Sequence, residues 1–323
     1  MPSPNLLFLF TDEQRADTMA AYGNDRIDTP NLNRLAAGAA VFDQAYVTQA
    51  VCTPSRASIM TGLYPHTCGC TANNVPLPAD VPCLPEMLPT GQYVTAYHGK
   101  WHLGDEIFAQ HGFDEWGSVE DMYAAHYAPG RDRSGRSDYH HWLIARGVKP
   151  EKGEVFGRGQ AARLPEELSK PAFLAQTASR FLRANRNRPF VLYVNFLEPH
   201  MPFFGPRDGQ YDPAEVSLPD NFECPLSADQ SLKGRVVAEF HRRHGHSGLP
   251  LADEADWSAA VGALRSGVAA SPGSSQSADG LGHTPADNAR HVVRKLREAG
   301  AEREARHLAE SLADLGLVLD TAD

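Results

Sequence analysis

The stretch "NLLFLFTDEQRAD", residues 5–17, is the one on which the fold turns. Its apolar run is continuous rather than alternating. It therefore reads as a strand, Asn5 to Phe10, covered on both faces at the centre of a parallel sheet. The run stops abruptly at Asp12 and Glu13. "FVLYVNFLEPHMPF", residues 190–203, repeats the arrangement and carries His200 at its end. "YVTAYHGKWHLG", residues 93–104, reads as a strand from Tyr93 to Tyr97 running into a loop with Lys100 and His102. Any one of the 14 histidines taken alone reads as a solvated or capping residue. In open α/β sheets, however, ligands bind at the carboxyl ends of the strands. Three strand ends bearing polar groups therefore mark one site. Helical patterns lie between the strands. Thr29 and Pro30 open one of them, and "KPAFLAQTASRFLRANRNRPF" from residue 170 is amphipathic. The class is α/β, a mainly parallel sheet with helices on both faces.

The chain has 323 residues and 42% hydrophobic content, enough for one large domain with a small appendage. A net charge of −10 without a long basic run argues against nucleic acid as a partner. The N-terminal run "LLFLF" is too short to span a membrane. It also lacks the positive flank and cleavage site of a signal peptide, so a cytoplasmic protein without membrane contact is expected. Five cysteines, an odd number, do not suggest a disulfide framework. Cys68 and Cys70 in "CGC", with Cys83 beyond, raise the question of zinc. Their spacing matches no common finger and brings no obvious fourth ligand. From Ser258 the chain becomes rich in Ala, Ser and Gly. Residues 1–257 are read as the catalytic domain, 258–285 as a low-complexity linker and 286–323 as a helical tail broken by Gly300.

"AVCTPSRASIMTGLYPH", residues 50–66, places Cys52 at the start of a helical pattern that stops at Gly62. The free backbone N–H groups there, with Arg56 one turn on, are expected to lower a thiol pKa or hold an oxyanion. Three readings follow from the residues: a structural cysteine, a thiolate nucleophile with a histidine base, or a cysteine modified into a different nucleophile.

"CTPSR" followed by "ASIMTGLYPH" resembles the C-x-P-S-R signature of the sulfatase family, and the likeness continues. "NLLFLFTDEQRAD" is similar to the family's first strand, "GKWHLG" to its Lys-His element and "FLEPHMPF" to its Pro-His element. The motifs keep the family's order over roughly the first 220 residues. The resemblance implies an alkaline-phosphatase-like fold and a hydrolase of sulfate monoesters. It implies that Cys52 is oxidised to formylglycine, whose hydrate attacks the ester sulfur, so a formylglycine-generating enzyme becomes a partner. Asp12 and Glu13 would then hold a divalent cation, calcium above all, together with the modified Cys52. Glu13 stands where the family usually has a second aspartate. Arg56 would hold the diol, Lys100 would pair with ester oxygens, and His102 would handle a diol proton. His200 would bind sulfate or assist the leaving group, and Asn73 would contact substrate.

The family's second half brings a strand ending in Ser-Asp-His-Gly and a further lysine. Residues 225–323 contain no such strand, and so no lysine that follows one, and no apolar strand precedes Asp279 and His283. A shortened relative, or a frame shift near Trp257, would produce that pattern. Weak or absent hydrolysis is expected on this ground, from a truncated fold with few cation ligands. A phosphonate or phosphodiester hydrolase and a non-catalytic anion-binding remnant are the alternatives. Ester specificity is assigned to the irregular segment 118–165.

Overall fold

A computed structural model describes residues 3–216, 218, 232–245, 250, 251 and 253–269. All of them belong to the first of two compact units, Met1–Ala278. The described sheet has four strands: β1 (Leu6–Phe10), β2 (Val94–Gly99), β3 (Glu115–Gly117) and β4 (Phe190–Asn195). They run in the order β1-β4-β2-β3, and every pairing is parallel. Phe10 pairs with Asn195, and Asn195 pairs with Gly99. Three strand tips are thereby level, and Asp12, Lys100 and the segment leading to His200 leave the sheet at one end.

The helices are α1 (Pro30–Ala37), α2 (Cys52–Thr61), α3 (Pro65–Cys68), α4 (Leu84–Met87) and α5 (Asp138–Ile144). They continue with α6 (Arg158–Arg163), α7 (Lys170–Asn185), α8 (Leu232–His244) and α9 (Glu254–Ala269). Alternation along the strands divides the core in two. Ala96, Leu192 and Val194 face Phe173, Leu174 and Phe181 of α7. Tyr97, Val191 and Tyr193 face the opposite way, toward Ala57 and Met60 of α2. Helices therefore cover both faces. Each large side chain buried in this way contributes about 1.5–3 kcal/mol.

Gly99 closes β2 with φ +116°, and a Cβ there would lie 1.8 Å from the Asn195 carbonyl oxygen. Only glycine lets β2 turn this tightly against β4. The turn delivers the Lys100 N–H to that same oxygen at 3.0 Å.

Two expectations are corrected. β1 is not a central strand: it occupies one end of the described sheet, and Leu6, Leu7 and Leu9 are exposed, Leu9 by 54%. Its apolar run was read as buried on both faces, but among the described residues only β4 pairs with it. An apolar edge of this kind invites association. Leu9→Lys is expected to change stability by less than about 0.5 kcal/mol while raising solubility. Thermal melts and light scattering against concentration check this, and a loss of several kcal/mol would show Leu9 to be covered. The second correction concerns residues 258–269, read as linker. They form the greater part of α9, since alanine is a strong helix former and Asp253 caps the first turn by accepting from the Asp256 N–H at 2.9 Å. The remaining linker and the tail at 286–323 lie outside the described residues.

The segment 118–165, expected to be irregular, carries α5 and α6. Ser137 caps α5 by accepting from the His140 N–H at 3.2 Å. No helix among the described residues is long and apolar enough to cross a membrane.

Candidate active site around Cys52

Helix α2 begins at Cys52 after an extended Val51 and ends at Gly62, which adopts φ +72°. Its start is tied down by one side chain that sequence reading passed over, Thr53. The Thr53 N–H donates to Asn73 Oδ1 at 3.0 Å. Its hydroxyl donates to the His102 carbonyl at 2.8 Å and accepts from the Asn74 N–H at 3.2 Å. Thr53, Pro54 and Arg56 are buried, whereas Cys52 is partly exposed. Asn73, expected to touch substrate, here satisfies an orphan donor of the helix start.

The Cys52 Sγ lies 3.9 Å from Asp12 Oδ1 and 3.8 Å from Lys100 Nζ. Lys100 Nζ donates to Asp12 Oδ2 at 2.5 Å, and Arg56 Nη2 stands 3.5 Å from the same oxygen. Arg56 is held from both sides. Its Nη1 donates to the Lys100 carbonyl at 2.6 Å, and its guanidinium lies 5.0 Å from the Phe10 ring centre. Burial would raise the Asp12 carboxyl, but Lys100 and Arg56 hold it well below the usual range. The Cys52 thiol moves against expectation. Burial pushes it up, and neighbouring Asp12 and Glu13 push the same way, outweighing Lys100 and Arg56. The helix start therefore does not make Cys52 a ready thiolate, which disfavours the plain-thiol reading.

A cavity of about 500 Å³ is lined by Asp12, Glu13, Cys52, Arg56 and Asn73. His200 approaches from the β4 side, with Nε2 3.5 Å from Glu13 Oε1. Its Nδ1 lies 2.8 Å from the Met201 carbonyl, which only accepts, so Nδ1 carries the proton. Burial and the charge of Lys100 push His200 down to about 4, leaving it neutral near pH 7. Burial and Lys100 also hold His102 far below its ordinary value. Its Nε2 pairs with Asn74 Oδ1 at 2.9 Å, and its buried Nδ1 has no hydrogen-bond partner among the described residues. A neutral Nε2 facing a carboxyl oxygen calls for a proton or a cation between them. Ligand atoms of Asp12, Cys52 and His200 lie within 4.8 Å of one another. Asp12 therefore groups with Cys52 and His200 as donors that could share an ion, and Glu13 lines the same cavity.

The family model described as Sulfatase matches residues 4–224. The chain belongs to the sulfatase family. Among curated relatives, the ulvan-active sulfatase of Formosa agariphila is 29% identical over 208 residues, covering 62% of this chain and 36% of that protein. Human N-acetylgalactosamine-6-sulfatase is 29% identical over 256 residues, covering 71% and 47%. This sulfatase-family chain therefore spans about half the length, or less, of these curated relatives. Among solved structures, a phosphonate monoester hydrolase from Silicibacter pomeroyi superposes with TM-score 0.58 at 20% identity, covering 93% of this chain and 60% of that one. That likeness shows the shared α/β fold. Sulfatases are generally formylglycine-dependent and metal-binding.

Behind the sulfatase motifs lies a charged layer that sequence reading did not single out. Glu120, almost fully buried, accepts from Arg158 Nε at 2.8 Å, from Arg158 Nη2, and from Lys170 Nζ at 2.6 Å. Arg158 also donates to the Tyr123 hydroxyl at 2.9 Å, and the Tyr123 ring lies 4.5 Å from that of His102. Glu106 accepts from the Trp101 and His102 N–H groups at 2.8 and 2.7 Å, holding His102 at φ +57°. Only the assignment of specificity to 118–165 pointed toward this layer.

Burial lifts Glu198 to about 7 from 4.5, and its Oε2 has no hydrogen-bond partner among the described residues. A raised carboxyl binds more protons folded than unfolded between these values. Its contribution is full below pH 4.5 and is lost as pH rises through 7. Glu198→Gln is expected to match the parent at low pH and to exceed its stability at pH 8 by up to about 3 kcal/mol. Urea unfolding across that range tests this; parallel curves would exclude a buried, titrating Glu198.

Proposed function

We propose that this chain carries the nucleophile-bearing part of a hydrolase of sulfate monoesters on carbohydrate, with Cys52 converted to formylglycine. One observation carries the reading: Cys52 Sγ opens a helix beside a cavity, 3.9 Å from Asp12 and 3.8 Å from Lys100, with its thiol kept protonated. A side chain poorly suited to act as a thiolate, yet placed among compensating charges, is a place for a modified nucleophile. The names of the relatives, an ulvan-active sulfatase and an N-acetylgalactosamine-6-sulfatase, support sulfated carbohydrate as the substrate class.

The aldehyde, once hydrated, supplies an oxygen nucleophile that a thiol cannot. The remaining roles fall to this chain's own residues. Arg56 and Lys100 place positive charge beside position 52 and offset charge on the ester oxygens. His102 is neutral, and its buried Nδ1, without a partner among the described residues, would accept a hydrogen bond from the diol; its depressed basicity makes it a poor final acceptor of that proton. His200, whose one proton is committed to the Met201 carbonyl, would act on the leaving oxygen only after its Nε2 has taken up a proton. Asp12 and Glu13 would hold a divalent cation, with calcium as the proposal because the donors are carboxylate oxygens. Thr53, Pro54 and Arg56 are buried, so a formylglycine-generating enzyme would read them before the chain folds.

The test is the mass of the Cys52 peptide from protein produced with a formylglycine-generating enzyme, alongside turnover of aryl sulfate, aryl phosphonate and phosphodiester. Aldehyde at position 52 with preference for sulfate is expected. Preference for phosphonate would move the assignment to the alternative hydrolase. Unconverted thiol under those conditions would overturn the reading in favour of an anion-binding remnant.

A further inference from the structure

Next to Trp101, whose ring lies 5.9 Å from that of His111, three donors of different chemistry converge. Cys83, Glu86 and His111 each offer one ligand atom, and these atoms all lie within 4.8 Å of one another. We propose that Cys83, Glu86 and His111 form a zinc-binding site, separate from the cation site at Asp12 and structural in role. The sequence raised zinc for Cys68, Cys70 and Cys83 without a further ligand in view. The tertiary structure brings two more donors to Cys83 from elsewhere on the chain.

The donor set is sulfur, imidazole and carboxylate, which suits zinc and not calcium. The site is also organised in advance. Cys83 caps α4 and is fully buried. Glu86 Oε2 accepts from the Cys83 N–H at 2.8 Å and lies 3.2 Å from His111 Nδ1. A capping box accounts for the first of these contacts. The same box sets the Cys83 thiol beside Glu86, but it does not account for the His111 imidazole at that carboxylate.

His111 is held at φ +50°, where a side chain rarely sits, and its ring lies 5.9 Å from that of Trp101. At the next residue, Gly112, a Cβ would stand 2.8 Å from Glu86 Cγ, so the loop is pressed directly onto α4. Cys68 and Cys70 are buried in the same core as Cys83. A cavity of about 250 Å³, lined by Glu86, Leu103, Gly104, Gln110 and His111, offers an entry path and room for water as a fourth ligand.

Zinc would bind with loss of the Cys83 proton to solvent and formation of a Zn–S bond. The consequence is mechanical. The loop between β2 and β3 carries His102 and Glu106, and the metal would pin its far end to α4. Any ligand that binds only the folded form stabilises it by mass action.

The experiment uses the full chain, stripped of metal and titrated with Co(II) and then Zn(II) in excess calcium. One equivalent of Co(II) is expected to give a thiolate-to-cobalt charge-transfer band that Zn(II) removes. Cys83→Ser should abolish the band, and His111→Ala should weaken Co(II) binding at least about tenfold. Cys52→Ala should leave the band intact, separating this site from the cavity at Asp12. No band in the parent, or a band lost with Cys52→Ala and kept in Cys83→Ser, overturns the proposal. Should Cys83→Ser fail to fold, His111→Ala decides: undiminished affinity overturns the site, and weakened affinity supports it.

Discussion

Cys52→Ala is expected to lower hydrolysis of an aryl sulfate by about 10⁴-fold or more, because removal of a covalent nucleophile leaves only the contribution of binding and fixed charges. The fold should persist. Cys52 is partly exposed, and among the described residues its side chain makes only long contacts, to Asp12 and Lys100. Truncation of such a side chain costs about 1 kcal/mol or less. The parental rate is itself expected to be low, since Asp12 and Glu13 are the carboxylates the described residues present to a cation in this cavity. A second readout therefore accompanies the first. An aminooxy probe should label the parent at position 52 and leave Cys52→Ala unlabelled. Retained turnover in the variant, or labelling elsewhere in the chain, would end the case for position 52.

Glu120→Ala is expected to be the most damaging single change to stability. Glu120, Arg158 and Lys170 have side-chain exposures of 1%, 12% and 7%, so the three charges share an environment nearly free of water. Burial alone would raise the Glu120 carboxyl, but Arg158 and Lys170 hold it well below its ordinary value. Removing the carboxylate strands two buried cations, a change that costs about 3–5 kcal/mol. The melting temperature should fall on the order of 10 °C. Lys170→Met introduced into the same variant should recover part of the loss, because one stranded charge is then gone. Urea unfolding measures both changes. A loss under 1 kcal/mol for Glu120→Ala would mean that water reaches the cluster. The sign with pH is also determined. A depressed carboxyl contributes above its unfolded pKa, and the contribution is lost on acidification.

The readings that survived rest on local chemistry. β4 was legible because six consecutive residues, Phe190–Asn195, are all buried and the pattern says so directly. α2 was legible from Pro54 near its start and Gly62 at its end. The readings that failed concern environment. "LLFLF" looks the same whether one neighbour or two pack against it, so β1 reads as a central strand and lies at the edge of the described sheet. Cys52 was expected to be acidified by its helix, but the thiol's pKa depends on how much water remains around it. Glu120 finds Arg158 and Lys170 at separations of 38 and 50 residues, which no local pattern reveals.

The sequence by itself determined the α/β class, the sulfatase family and the polar residues at the strand tips, because apolar runs and fixed motif spacing are properties of the chain. Tertiary structure alone decided which of those residues meet. Parallel register levels Phe10, Gly99 and Asn195, and that alignment brings Asp12, Cys52 and Lys100 within a few ångströms. It also decided their charge states, since burial and neighbouring charge set a pKa only once the chain has folded.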